Sequence, residues 1–82
     1  MKRSREVIIS DILDICMLGA NKTKIVYQAN LNFRTVNPYL DMLMEKGLID
    51  LSEGRKNMYV TTDKGANMLK SFNSIKRELY DF

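Results

Sequence analysis

The chain has 82 residues, 45% of them hydrophobic and 28% charged, with a formal net charge of +3 and no histidine. That length holds one core, so residues 1–82 read as a single domain. Without histidine the commonest general base and transition-metal ligand are gone. No phosphate-cradling glycine loop, cysteine cluster or nucleophile elbow replaces them, which argues against an enzyme and against a cofactor, metal or small-molecule ligand.

Arg5–Leu18 reads as a first helix. Ser4 caps it and Glu6 lies near its positive end. Ile8, Ile9, Ile12, Leu13, Ile15 and Cys16 form a wide apolar stripe, and Gly19 ends it. Asp11 and Asp14 interrupt this stretch, so it is neither a signal peptide nor a membrane span. The lone Cys16 reads as a small core residue in a reducing compartment, and the expected location is cytoplasmic. Ala20–Lys22 is too short to assign from its residues; in a winged helix it would be the small first strand. Thr23 is expected to cap a second helix, Lys24–Ala29, which buries Ile25, Val26 and Ala29.

Asn30 tolerates a left-handed backbone and suits a sharp turn, with Leu31 plugging that turn into the core. Asn32 caps a third helix, Phe33–Lys46, whose inward line is Val36, Tyr39, Leu40 and Leu43. Pro38 removes one backbone donor and crowds the carbonyl of Arg34. It predicts a bent first turn or a helix that begins near Asn37. Gly47 closes the helix. Leu48–Ser52 and Met58–Thr62 read as strands, joined by Glu53–Asn57 with Gly54 available for a positive φ. Thr62 caps a last helix over 63–80. Gly65 in its first turn predicts close backbone packing. Met68, Phe72, Ile75 and Leu79 recur along this helix at i, i+4, i+7 and i+11, and Leu69 broadens the stripe.

This order is α+β, mainly α. It is the order of a winged helix-turn-helix with a C-terminal helix: helix-turn-helix about 23–46, wing about 48–62, last helix about 63–80. From Ile15 to Leu40 the chain has no acidic residue but carries Lys22, Lys24 and Arg34, and the wing adds Arg55 and Lys56. Such a basic surface on a weakly basic chain suits a side that faces phosphates.

The runs GANKTKIVYQANLN, YLDMLMEKGLI and TTDKG resemble small archaeal winged helix-turn-helix transcriptional regulators, relatives of the dimeric archaeal winged-helix chromatin proteins. The resemblance covers roughly Val7–Leu69. It implies binding of double-stranded DNA, sequence-selective or architectural, by a nucleoid-associated homodimer. The recognition helix would be Phe33–Lys46 in the major groove, and the wing Glu53–Asn57 would lie on the backbone. The last helix would make the dimer through Phe72, Ile75 and Leu79, with Tyr80 and Phe82 as further apolar groups. At about 27 Å it is too short for a long coiled coil at ~1.5 Å per residue.

Candidate contacts follow from side-chain chemistry. Arg34, Thr35 and Asn37 face away from the apolar line, and arginine and asparagine read guanine and adenine edges. Phe33 is either a thymine-methyl contact or a staple on the helix start, and Pro38 offers an apolar surface to a base. Lys22, Thr23 and Lys24 at the second helix start suit a phosphate. Arg55, Lys56 and Asn57 form the wing tip. Tyr27 and Tyr59 are set aside as core-edge residues. The competing class is a winged-helix protein-interaction module, which Asp41 and Glu45 on the outer side of the third helix leave open.

Overall fold

The computed structural model describes residues 4–80 and contains α1 (Arg5–Ile15), a 3-10 turn (Cys16–Leu18), α2 (Lys22–Ala29), α3 (Phe33–Glu45), β1 (Ile49–Leu51), β2 (Tyr59–Thr61) and α4 (Asp63–Tyr80). Phe82 and the side chain of Tyr80 lie outside what is described. The four expected helices and the two wing strands are present, and the differences lie at their ends and at 20–22.

Ser4 caps α1 by accepting from the Val7 N–H. The first helix stops being α-helical at Ile15, three residues before the expected Leu18, and tightens into the 3-10 turn. Gly19 follows at φ 93°, a value that a side chain would strain. No strand forms over 20–22. Ala20 instead makes a single bridge to Tyr59, with its N–H donating to the Tyr59 carbonyl at 2.9 Å and its carbonyl accepting from the Tyr59 N–H at 2.8 Å. That pairing keeps the chain extended through Asn21, which then caps α2: its Oδ1 accepts from the Lys24 N–H at 2.8 Å. The expected cap, Thr23, is therefore the second residue of the helix.

α3 runs from Phe33 to Glu45 with Pro38 inside it. The later start near Asn37 does not occur, because Asn32 already caps the helix through the Thr35 N–H at 2.7 Å. At the far end the Gly47 N–H donates to the Met44 carbonyl and the Leu48 N–H to the Leu43 carbonyl, with Gly47 at φ 72°. This is a Schellman closure. It consumes the Leu48 N–H, so β1 starts one residue later than expected.

β1 and β2 pair antiparallel, with Ile49 opposite Thr61 and Leu51 opposite Tyr59. Each strand is shorter than its sequence pattern. The positive φ in the wing falls on Asn57, at 58°, and not on Gly54. The chain reverses at Lys56–Asn57, and asparagine is one of the few side chains that tolerate that conformation. Thr62 caps α4 by accepting from the Gly65 N–H at 3.1 Å and donates to the Gly47 carbonyl at 2.6 Å, tying the wing to the end of α3.

The core is built from Ile12, Leu13 and Cys16 of the first helical segment, Ile25 of α2, Val36, Leu40 and Leu43 of α3, then Leu48, Ile49 and Leu69. The Thr61 hydroxyl donates to the Leu13 carbonyl at 2.6 Å and locks β2 to α1. Of the expected α4 stripe Leu69 and Phe72 dock, with Gly65 packing closely as expected, and Met68 does not. Gly65 and Leu69 are buried and Phe72 is half-buried, whereas Met68 is 45% exposed. The spacing of Gly65, Leu69 and Phe72 is also helical, and the missing side chain at Gly65 is what lets that line approach.

Candidate nucleic-acid interface

The helix-turn-helix owes its angle to two asparagines. Asn30 sits at φ 55°, ψ 50°, and the Leu31 N–H closes on the Val26 carbonyl at 3.0 Å. Two residues later Asn32 is extended and caps α3. One asparagine ends a helix in the left-handed region, and the other begins the next with a side-chain acceptor. Leu31 between them packs against the core as expected.

The start of α2, the start of α3 and the wing tip meet around one open concavity lined by Asn21, Lys22, Thr23, Phe33, Lys56, Asn57 and Tyr59. Five of the residues singled out from sequence, Lys22, Thr23, Phe33, Lys56 and Asn57, thus share one surface although they span 36 positions of the chain. Both helices present their positive N-terminal ends near it, which adds to the two lysine charges.

The other candidates lie elsewhere. Arg34, Asn37 and Pro38 are exposed on α3, and Thr35 is half-buried with its backbone N–H held by Asn32. Pro38 borders a separate shallow groove with Arg5, Tyr39 and Met42 beside α1. Arg55 is exposed on the wing but outside the concavity. Lys24 is exposed on α2, and its charge bears on the Cys16 thiol. Burial pushes that thiol up to about 11, and Lys24 opposes the shift. Cys16 is therefore an inert core thiol at neutral pH.

The outward line of α3 is Arg34, Pro38, Asp41 and Glu45, all exposed at i, i+4, i+7 and i+11. Its charge is positive at the start and negative over the second half, so only the first turns attract a polyanion.

Two lining residues, Asn21 and Tyr59, were not among the sequence candidates. Asn21 carried no assignment in the sequence; the structure makes it the cap of α2 in place of Thr23. Tyr59 was set aside as a core-edge residue; it does pack against the core, and it also lines the concavity. Tyr27 is not a core-edge residue: it is 82% exposed on α2.

Away from these residues, Phe72, Ile75 and Leu79 of α4 line a separate groove with Ser4, Glu6, Val7 and Lys76. Ile75 and Leu79 are 59% and 56% exposed there. Among the described residues no helix is long and apolar enough to cross a membrane.

A family model described as winged helix-turn-helix matches residues 2–79. Two uncharacterized proteins of Methanocaldococcus jannaschii are similar to the chain. MJ0290 is 32% identical over 81 residues, which are 98% of this chain and 37% of that protein. MJ0287 is 35% identical over 71 residues, 85% of this chain and 70% of that one. The chain thus spans little more than a third of the length of MJ0290. Among solved structures, Sso10a-2, a DNA-binding protein from Sulfolobus solfataricus, superposes with a TM-score of 0.77 at 27% identity, over 96% of this chain and 87% of that one.

Proposed function

The chain belongs to the winged helix-turn-helix family, and from that premise we propose that it is a cytoplasmic, non-enzymatic regulator that binds double-stranded DNA as a homodimer. The observation that carries this reading is the concavity that gathers Lys22, Thr23, Phe33, Lys56 and Asn57 beside the start of α3. The DNA-binding protein Sso10a-2 shares the fold and supports it. The lysines neutralise phosphates on either side of the groove in which α3 lies. Arg34 and Asn37, exposed near the start of that helix, read base edges, and Arg55 and Lys56 hold the backbone from the wing. Ile75 and Leu79 of two copies cover one another, which places the two recognition helices for a two-fold-symmetric site.

Lys22, Lys24, Arg55 and Lys56 set the expected salt response. At about −0.9 per neutralised phosphate, the four give a log–log slope near −3.6 per protomer, so affinity falls on the order of 150-fold between 50 and 200 mM salt. Fluorescence anisotropy on random and genomic duplexes measures it. No binding at about 50 mM salt with micromolar protein would refute the reading. A second reading, a protein-interaction module, is favoured by the exposed Asp41 and Glu45 on the outward face of α3. Its signature is the absence of any salt-dependent duplex binding.

A further inference from the structure

The concavity between α2, α3 and the wing holds about 570 Å³, which is within the size range of small-ligand pockets and far more than one phosphate occupies. Its walls are of two kinds. Lys22 and Lys56 bring cations, and Thr23 brings a hydroxyl. Phe33 and Tyr59 bring aromatic rings from two different elements, the first residue of α3 and the first residue of β2. Phe33 leaves 49% of its surface in water, at a cost of roughly 25 cal/mol per Å² of apolar area.

Duplex binding accounts for the lysines, and a thymine methyl for the edge of Phe33, but not for two rings, Phe33 and Tyr59, around one concavity. In a duplex the face of each base is covered by its neighbours, so an aromatic side chain beside the helix meets a base edge or a thymine methyl, sugar and phosphate, but no free π-face. An unpaired base has a free π-face and stacks on phenylalanine or tyrosine whatever its sequence. Cations placed next to aromatic rings are the combination that holds single-stranded DNA. We propose that this concavity takes one unpaired nucleotide of a DNA strand, its base against Phe33 and Tyr59 and its phosphate on Lys22 and Lys56. The protein then binds single strands and locally opened duplexes as well as intact ones. This rests on the DNA-binding reading above and extends it at the same surface.

The test uses the full chain and three probes: a labelled 12-residue oligothymidylate, a labelled duplex and free thymidine monophosphate. Anisotropy gives the affinities, with wild type, Phe33→Ala and Phe33→Tyr compared under the same salt. Phe33 is exposed, so Phe33→Ala leaves the core intact, and Phe33→Tyr restores an aromatic face. The expected result is micromolar or tighter binding of the oligothymidylate. Phe33→Ala weakens that binding roughly tenfold and duplex binding by a clearly smaller factor, and Phe33→Tyr restores the oligothymidylate affinity. In an oligonucleotide carrying 2-aminopurine, fluorescence falls on binding to wild type and not to Phe33→Ala. Duplex binding without oligothymidylate binding would overturn this proposal and leave the DNA-binding reading standing. Equal losses on both probes with Phe33→Ala would overturn it as well. Thymidine monophosphate binding as tightly as the oligonucleotide would overturn the assignment to a strand. Failure of both DNA probes would remove the DNA-binding reading itself.

Discussion

Gly65→Ala is the substitution on which helix propensity and tertiary packing disagree in sign. Gly65 is the third residue of α4, and alanine is better than glycine in a helix by about 1 kcal/mol. On propensity alone the variant is more stable. A Cβ built on Gly65, however, collides with the Leu48 carbonyl oxygen, lies 2.8 Å from Thr61 Cγ2 and 3.0 Å from the Leu48 carbonyl carbon. None of these atoms swings away cheaply. Two belong to backbone at the Schellman closure, and the Thr61 side chain is tied to the Leu13 carbonyl. α4 must therefore lift, which loosens the Thr62–Gly47 and Lys64–Lys46 hydrogen bonds and the seat of Leu69. Overpacking against a rigid neighbour costs about 3 kcal/mol or more, and the propensity gain leaves a net loss of about 2 kcal/mol. For a domain of this size that lowers the melting midpoint by about 10 °C. Thermal and urea denaturation followed by far-UV circular dichroism measure it at one protein concentration, because a dimer makes the midpoint concentration-dependent. A midpoint equal to or above that of the wild type would refute the packing argument.

Arg34→Ala relaxes sequence preference and costs about 1–3 kcal/mol at a preferred site, whereas Arg55→Ala weakens all duplexes alike; anisotropy on matched and random duplexes separates the two. Ile75→Asp with Leu79→Asp converts a dimer to a monomer in sedimentation at about 100 µM protein, and a dimer unchanged by both substitutions would place the interface elsewhere. For Cys16 the sign follows from its raised pKa, about 11 against 9.0 for an ordinary thiol. The unfolded chain loses that proton first, so the thiol's contribution is intact below about pH 9 and is lost as pH rises from 9 to 11. The loss amounts to about 2 kcal/mol, read as the change in stability difference between wild type and Cys16→Ala across that range.

Periodicity and capping chemistry determined much of this protein. The inward line Val36, Leu40 and Leu43 of α3, the left-handed Asn30, the Asn32 and Thr62 caps and the Gly47 closure are local properties. Each depends on side chains within about one helical turn, so the sequence holds all the information needed. The basic character of the stretch around Lys22, Lys24 and Arg34 is legible for the same reason. Tertiary structure decided what depends on partners distant in the chain. The Ala20–Tyr59 bridge favours Asn21 over Thr23 as the cap of α2, because it leads into an extended backbone at Asn21, the conformation a cap needs. The close approach of Gly65 to Leu48 decided which part of the wide α4 stripe is buried, Leu69 rather than Met68. The site followed the same division. Sequence supplied the cations, but Tyr59 joined Phe33 and Lys22 only because the wing folds back over the start of α2. That juxtaposition joins residues on either side of two helices and a strand, a distance over which no local pattern in the chain carries information.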